Sequence, residues 1–271
     1  MVNGDPRMEQ LARIIILGII QGLTEWLPIS STGHLKLAES ILGLEAPILF
    51  DVTLHAGTII VILVFFRSDI RKVLAALAQF DFRTEDGRLI PLIIVGTVPT
   101  AIIGLFLGDA IENTFRNLSA IAVAFIICGV ILYIARTGKE EKDKITYMEA
   151  IAIGLAQGIA IIPGFSRSGI TIATALTFGI KREKAFKFSF LLSVPAVIGA
   201  LGLTIYTQHH ELASAGLDWV EIIAGMTVAM VVGYFALKLL WRTLKQKKFH
   251  IFASYCWVLG AAVIALELGG F

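Results

Sequence analysis

Four side chains suited to phosphate chemistry lie in segments that are otherwise apolar: Glu25, Ser31, His34 and Arg167. A serine hydroxyl becomes a nucleophile when a neighbouring base takes its proton. Glu25 or His34 is available as that base, and His34 also suits an acid that protonates a leaving group. The arginine fork matches the oxygens of a phosphate. Because ionisable groups inside a membrane segment are costly, we expect them to mark a functional site.

The composition indicates a membrane protein. Of the 271 residues, 56% are hydrophobic and only 16% are charged, whereas soluble domains have about 45–50% and about 25%. These values exclude a disordered chain, a disulfide scaffold and most soluble enzymes. Cys128 and Cys256 both lie in apolar runs and predict no disulfide framework. The first ten residues show no cleaved signal peptide.

Six apolar runs have the length needed to cross a bilayer, which is about 20 residues. Each is therefore predicted to form a full transmembrane helix. The runs are Ile48–Phe66, Leu89–Leu107, Leu118–Ala135, Phe188–Tyr206, Trp219–Leu237 and Ile251–Leu268.

Two further apolar regions are interrupted in the middle by proline, glycine and serine. Ile14–Leu27 and Leu35–Leu44 flank the first break, and Ala150–Ile162 and Ile170–Ile180 flank the second. Each piece has about 10–14 residues, or about 15–20 Å of helix, which is too short to cross. Irregular backbone cannot face lipid, so it must be buried or line a wet cavity. We predict two re-entrant helix–loop–helix hairpins.

The two broken regions resemble each other. Gly18–Gly22 recurs as Gly154–Gly158, and Ser30–Gly33 recurs as Ser166–Gly169, in each case 136 positions later. Further along the register drifts, and there Gly96 matches Gly225 and Gly104 matches Gly233.

Each half of the chain holds one broken region and three spans, and an odd number of crossings turns the second half upside down. We predict two inverted-topology repeats, about residues 9–136 and 145–270, in a single membrane domain over residues 1–271. Inverted repeats with broken helices place a binding site near the membrane midplane. The second half-helices should begin near Gly33 and Gly169, and their N-termini would bind an anion such as phosphate.

Small polar residues around these helix starts are the candidates for binding phosphate with Arg167. Two simpler interpretations stay open: Ser30 or Thr32 caps the following helix, and Arg167 forms a purely structural pair with Glu25. The candidates are Ser30, Thr32, Gly33, Ser166, Ser168 and Thr171.

Asp51 and His55 are one helical turn apart near the start of a span. They either line the mouth of the cavity or form an interfacial polar pair.

The basic residues predict the orientation in the membrane. With both broken regions folded as hairpins, 18 of the 23 basic residues fall in four connections on one face: Arg67–Arg88, Arg136–Lys144, Lys181–Lys187 and Lys238–Lys248. The positive-inside rule places that face in the cytoplasm. Both termini and the opening of the active site are then extracytoplasmic. Since topology explains the basic connections, no nucleic-acid partner is predicted.

Two motifs together give the chain a specific resemblance. Gln21–His34 (QGLTEWLPISSTGH) and Pro163–Thr171 (PGFSRSGIT) resemble the motifs of the undecaprenyl-diphosphate phosphatases, also called bacitracin-resistance proteins. The resemblance covers residues 9–270. It implies two interdigitated inverted repeats and removal of the terminal phosphate from a C55 polyprenyl diphosphate, which recycles the carrier lipid for cell-wall polymers. The implied partners are this lipid substrate and membrane lipids, and a homodimer is also compatible.

The resemblance also implies roles for individual residues. Ser31 stands at the proposed nucleophile, His34 at the acid–base histidine and Arg167 at the phosphate-binding arginine. Glu25 matches the second acidic residue of the first motif, which is tied to a divalent metal, Mg²⁺ or Ca²⁺. Gln21 stands where an acidic residue is common, so the site has one negative ligand fewer. The metal would then be held mainly by the diphosphate and Glu25, with Gln21 as a further ligand.

Other functions remain open at this stage. A direct attack by water is as compatible with the sequence as attack by Ser31. A lipid transporter or flippase shares the broken helices and inverted repeats. An intramembrane serine protease that used Ser31 and His34 would leave Arg167 without a role.

Overall fold

The structure is a computed structural model that describes residues 6–42, 48–115, 117–207 and 219–269. Over these residues it contains eleven α-helices and one 3₁₀ turn, at Ala135–Thr137. The helices are α1 (Pro6–Trp26), α2 (Ser31–Leu42), α3 (Ile48–Phe65), α4 (Arg67–Ala78), α5 (Leu89–Thr114), α6 (Leu118–Ile134), α7 (Tyr147–Ile159), α8 (Arg167–Thr177), α9 (Arg182–Thr207), α10 (Trp219–Lys245) and α11 (Ile251–Leu268).

In the described part of the chain, five helices are long and apolar enough to cross a membrane: α5, α6, α9, α10 and α11. The sixth predicted span forms α3, of which Thr53–Phe65 is a shorter apolar stretch. Large apolar side chains on the spans face outward, and Phe106 and Val258 are 79% and 70% exposed. Such a surface suits lipid and would promote aggregation in water. The predicted all-α polytopic membrane protein is thereby confirmed.

Each broken region forms a pair of helices joined by an irregular turn. The second helices begin at Ser31 and Arg167, two residues before the predicted Gly33 and Gly169. Helix α1 is longer than the apolar run Ile14–Leu27, because it begins at Pro6 and includes a polar first part. That part carries an ion pair between Glu9 and Arg13, one turn apart at 2.6 Å, which supports a helix that hydropathy does not indicate.

The two halves of the chain pack crosswise, meaning that the most extensive helix contacts join a helix of one half to a helix of the other. Helix α1 packs mainly on α10, α7 mainly on α5, and α6 on α11. The helices approach closely at glycines that correspond between the halves. A Cβ on Gly18 would lie 2.9 Å from the carbonyl oxygen of Gly225, and one on Gly154 would lie 1.9 Å from that of Gly96. Each broken helix therefore lies against a span of the other half, at a distance that only glycine allows.

The four basic connections meet at one end of the molecule, where ion pairs join them. Lys187 lies 2.7 Å from both Asp69 and Asp86, and therefore links the third connection to the first. The second connection joins this group through three pairs: Lys181–Asp143 at 2.6 Å, Arg182–Glu140 at 2.6 Å and Lys247–Glu140 at 3.9 Å.

The α7–α8 hairpin enters and leaves at this same end. The backbone N–H of Lys142, before α7, donates to the carbonyl of Gly179, after α8, at 2.9 Å. The N–H of Lys181 donates back to the carbonyl of Lys142 at 3.0 Å. The chain thus turns back between residues 159 and 167, since α8 returns to the end where α7 begins.

Candidate active site

The two helix breaks interlock. The Oγ atom of Ser30, in the first break, accepts a hydrogen bond from the N–H of Gly164, in the second, at 3.2 Å. In return, Ser166 and Ser168 donate to the carbonyls of Leu27 and Trp26, at 3.4 and 3.0 Å. These bonds satisfy backbone groups that no helix pairs. The breaks meet, as the repeat pattern predicts.

Ser30 and Ser166 also cap the helices that follow. Their Oγ atoms accept from the N–H groups of Gly33 and Gly169, at 3.3 and 3.1 Å, which is the usual hydrogen bond of a serine N-cap. The capping interpretation therefore holds for Ser30, and Ser166 takes the equivalent role. A contribution of these hydroxyls to phosphate binding stays a prediction.

The backbone at the breaks is held in unusual conformations. Ser30 has a φ of 67° and Gly164 a φ of 100°. A left-handed non-glycine residue carries strain, and such residues are enriched at functional sites. At Gly164 a side chain is also excluded by space, because its Cβ would lie 2.6 Å from the carbonyl oxygen of Ile121.

The carboxylate of Glu25 lies at the centre of the site and is buried. Its Oε1 accepts a hydrogen bond from the guanidinium of Arg167. Its Oε2 accepts from Ser31 Oγ at 2.6 Å and from Gln21 Nε2 at 3.1 Å. His55 Nε2 lies 3.9 Å from the same oxygen. One carboxylate thus links both broken regions and α3.

This arrangement is that expected of an activated nucleophile, Ser31, with a cation, Arg167, on the same carboxylate. A hydroxyl that donates to a carboxylate is positioned to lose its proton as it attacks. The Arg167 side chain is 25% exposed, and over the described part of the chain its one hydrogen bond goes to Glu25. Its other N–H groups remain for an anion such as phosphate. The pairing of Arg167 with Glu25 that the sequence left open is therefore present, and it leaves the arginine able to bind substrate.

His34 is held by two contacts away from the Ser31–Glu25 pair. Its Nδ1 lies 2.7 Å from the carbonyl oxygen of Ser30, and its Nε2 lies 2.7 Å from the hydroxyl of Tyr255. Since a carbonyl can only accept, Nδ1 carries a proton, and when the ring is neutral its Nε2 accepts from the Tyr255 hydroxyl. The ring also stacks on Tyr255, with centroids 5.7 Å apart. It is Glu25, rather than His34, that accepts a hydrogen bond from the Ser31 hydroxyl.

Tyr255 and His55 are the neighbours of the site that sequence analysis did not assign. Tyr255 lies in an apolar span and carries no local signal, because its partner is 221 positions away. His55 was left open between the cavity mouth and an interfacial pair, and the structure brings it beside Glu25. The side chain of its predicted neighbour Asp51 lies outside the described residues.

The other predicted phosphate-binding residues lie close by but differ in exposure. Thr32 is exposed. Gly33 packs against Phe125, whose Cζ would be 2.6 Å from an added Cβ. Thr171 is fully buried and its hydroxyl donates to the carbonyl of Arg167 at 2.8 Å. Thr171 therefore supports the start of α8 in this structure.

The site offers oxygen ligands for a metal, but few charges. Among the residues whose positions are described, no group of three or more His, Cys, Asp or Glu side chains could hold a metal ion. Gln21 Oε1 is buried and lacks a hydrogen-bond partner in the same part of the chain, and it lies on the side chain that contacts Glu25. An amide and a carboxylate oxygen suit Mg²⁺ or Ca²⁺ when substrate and water supply the remaining ligands.

Together, the helical membrane fold and the serine, carboxylate and arginine at its centre define a polytopic membrane protein with a phosphoryl-transfer type of site. The chain belongs to the bacitracin resistance protein BacA family, whose model matches residues 14–262. The match covers both broken regions and all the spans but the end of α11.

Its relatives include several proteins named undecaprenyl-diphosphatase. The relative from Carboxydothermus hydrogenoformans is 44% identical over 261 residues, which cover 94% of this chain and 97% of the relative. The relative from Halothermothrix orenii is 40% identical, with coverages of 95% and 98%. The relative from Methanosphaera stadtmanae is 38% identical, with coverages of 96% and 99%. The family resemblance inferred from the two motifs is confirmed.

Proposed function

We propose that this chain is an integral membrane phosphatase that hydrolyses undecaprenyl diphosphate to undecaprenyl phosphate and phosphate. This activity recycles the carrier lipid for cell-wall polymer synthesis and confers bacitracin resistance. Membership of the BacA family and the shared name of the relatives support the activity. The observation that carries the proposal is the meeting of Ser31, Glu25 and Arg167 where the two helix breaks interlock.

The terminal phosphate of the substrate would bind Arg167 and face the N-terminal ends of α2 and α8. There the backbone N–H groups and helix dipoles favour an anion. Ser31 Oγ attacks the terminal phosphorus while Glu25 Oε2 takes its proton. The bond from phosphorus to the bridging oxygen breaks, and undecaprenyl phosphate leaves with the proton that Glu25 carried. Arg167 stabilises the charge that develops on the phosphoryl oxygens.

Water then attacks the phosphoserine and releases phosphate. A water molecule that Glu25 deprotonates can also attack the diphosphate directly, which gives the same products and stays an alternative. His34 lies one turn after Ser31 on α2, so it faces the same side of the helix. Both of its ring nitrogens are engaged, so Nε2 would exchange a proton with the phosphate oxygens only once its contact with the Tyr255 hydroxyl is released.

A divalent metal, Mg²⁺ or Ca²⁺, would be held by Glu25 and Gln21 together with oxygens of the diphosphate. When bound, it would neutralise negative charge on the diphosphate. The unpartnered amide oxygen of Gln21 supports this assignment. Arg167 carries out part of the same neutralisation, which fits a site with a single carboxylate.

Two interdigitated inverted repeats would account for the crosswise packing. The first repeat is about residues 9–136 and the second about 145–270. Equivalent glycines make equivalent contacts: Gly18 lies on Gly225 and Gly154 lies on Gly96. The hairpins α1–α2 and α7–α8 would be re-entrant, and α3 would complete six full spans.

The protein would lie in the plasma membrane with the basic end in the cytoplasm. The ion pairs that join the four basic connections support a single basic face. Both termini and the opening of the active site would then be extracytoplasmic. The diphosphate would enter from that side while the isoprenoid tail remained among the membrane lipids.

The activity is tested with the full-length protein purified in detergent. Undecaprenyl diphosphate, or the shorter farnesyl diphosphate, should yield inorganic phosphate and the lipid monophosphate in equal amounts. The same protein in vesicles provides the contrasting measurement. Passage of intact diphosphate across the vesicle membrane, with no phosphate released in either preparation, would instead identify a lipid transporter.

A further inference from the structure

A small cavity lies beside the Glu25–Arg167 pair, on the side of α9. Two of its lining residues, Ser189 and Ser193, are one turn apart on α9 and belong to neither sequence motif. The full lining is Glu25, Trp26, Arg167, Ser168, Thr171, Ser189, Phe190 and Ser193.

Three of the four hydroxyl groups that line this cavity already donate a hydrogen bond to a backbone carbonyl. Thr171 donates to the carbonyl of Arg167 and Ser193 to that of Phe190, both at 2.8 Å. Ser168 donates to the carbonyl of Trp26 at 3.0 Å. Each oxygen keeps a lone pair that can accept. The cavity therefore offers acceptors to a molecule that can donate two hydrogen bonds.

Ser189 differs from these residues because its hydroxyl has no hydrogen-bond partner within the described ranges of the chain. It is 3% exposed, and its Oγ makes no hydrogen bond to any residue that the structure describes. Leaving a buried hydroxyl unpaired costs the desolvation of that group. A small polar molecule in the cavity would remove that cost.

Size and chemistry together select water rather than phosphate. The cavity leaves about 10 Å³ for the centre of a water molecule, and one water needs about 10–15 Å³ by this measure. A phosphate is several times larger. Arg167 also lines the cavity and would attract an anion, but the acceptor lone pairs and the Glu25 carboxylate around this small volume favour a neutral donor.

We infer that Ser189 and Ser193 hold, beside Glu25, the water molecule that the hydrolysis consumes. The inference rests on the proposed phosphatase function and adds two residues of α9 to it. In the second step the water oxygen bonds to phosphorus and the bond from phosphorus to Ser31 Oγ breaks. Glu25 passes a proton from the water to that oxygen. In the direct route the same water attacks the diphosphate, Glu25 takes its proton, and the bridging bond breaks.

The test compares water with methanol as the acceptor of the phosphoryl group. The full-length protein in detergent is assayed with undecaprenyl diphosphate in the presence of methanol, and both phosphate and methyl phosphate are measured. A cavity that fits one water excludes the extra methyl group, and such exclusion is worth about tenfold or more. Ser189→Ala makes room for the methyl, so the ratio of methyl phosphate to phosphate should rise by about tenfold.

Ser189→Val gives the opposite change, because it fills the cavity. It should lower kcat by about tenfold and leave KM within about twofold, since the substrate contacts remain. Thr204→Ala is the control: it removes a hydroxyl from the same helix outside the cavity and should change neither quantity.

Either of two results would overturn the inference. One is an unchanged product ratio in Ser189→Ala, even if kcat falls, because that result indicates a merely structural hydroxyl. The other is an unchanged kcat in Ser189→Val. If the unmodified protein releases no phosphate from undecaprenyl diphosphate, the proposed function itself fails, and the two failures are thereby distinguished.

Discussion

The hydroxyl of Ser31 donates to Oε2 of Glu25 at 2.6 Å, across the turn that separates α1 from α2. Glu25 is in the last turn of α1 and Ser31 is the first residue of α2. The break in the helix turns the serine back toward the carboxylate. Nucleophile and base therefore come from one short segment, and the second half of the chain adds the cation.

Replacing Glu25 by glutamine keeps the shape of the side chain and removes its basicity. General-base catalysis contributes about 10²–10⁴-fold, so kcat of Glu25→Gln should fall within that range. Phosphate release by the purified variant measures the effect. Glu267→Gln, at the far end of α11, is the matched control and should retain full activity. A Glu25→Gln variant as active as the control would contradict the role of base.

Removing the guanidinium of Arg167 should impair both binding and turnover. Loss of one group that stabilises developing charge costs about 10²–10³-fold in kcat, and Arg167→Ala should also raise KM. Arg167→Lys keeps the charge but not the forked guanidinium, so its activity should lie between that of the unmodified protein and that of Arg167→Ala. Arg242→Ala, in the last turn of α10, is the control. Undiminished activity of Arg167→Ala would remove Arg167 from the site.

The contact between His34 and Tyr255 predicts that the two residues act as a unit. Tyr255→Phe loses the hydroxyl that fixes Nε2 and should lower kcat by about tenfold with little change in KM. In a His34→Ala background the same change should have almost no effect. The coupling in this double-mutant cycle should be about 1.4 kcal/mol, the equivalent of tenfold. Additive effects would show that Tyr255 acts independently of His34. Tyr133→Phe serves as the control.

The single carboxylate of the site predicts a response to Gln21→Glu. A second negative ligand should lower the Mg²⁺ concentration needed for half-maximal activity by about tenfold. Titration of the chelator-treated protein with Mg²⁺ measures this, and isothermal titration with the metal alone gives a readout independent of turnover. Equal Mg²⁺ dependence in both proteins would place the metal away from Gln21.

The orientation is tested by accessibility from outside the cell. The native Cys128 and Cys256 are buried, so an introduced cysteine can be followed above a low background. A thiol reagent that does not cross membranes should label Gly269→Cys, after α11, in intact cells. It should label Lys247→Cys, in the basic connection, only after the membrane is opened. The reverse pattern would invert the proposed topology.

The sequence predicted best the features that depend on local pattern. Run length and hydropathy located the spans, and proline, glycine and serine located both breaks, because these residues act on the backbone where they stand. The start of α1 was missed because its first turns are polar. For Glu25 the sequence left two questions open: whether it or His34 contacts Ser31, and whether it pairs with Arg167. The answers depend on how two distant segments pack. Tyr255 and Ser189 could not be predicted, because their roles arise from contacts between helices.

The crosswise contact of α1 with α10 has a consequence for biosynthesis. The ribosome makes Glu25 long before Arg167, which follows 142 positions later, and α10 follows later still. A carboxylate held deep in lipid without its cation is costly, so the first broken helix should stay near the membrane surface until its partners have been inserted. We therefore expect the active centre to be completed only when the chain is nearly finished, and a chain that stops before α10 should hold both motifs without forming a site.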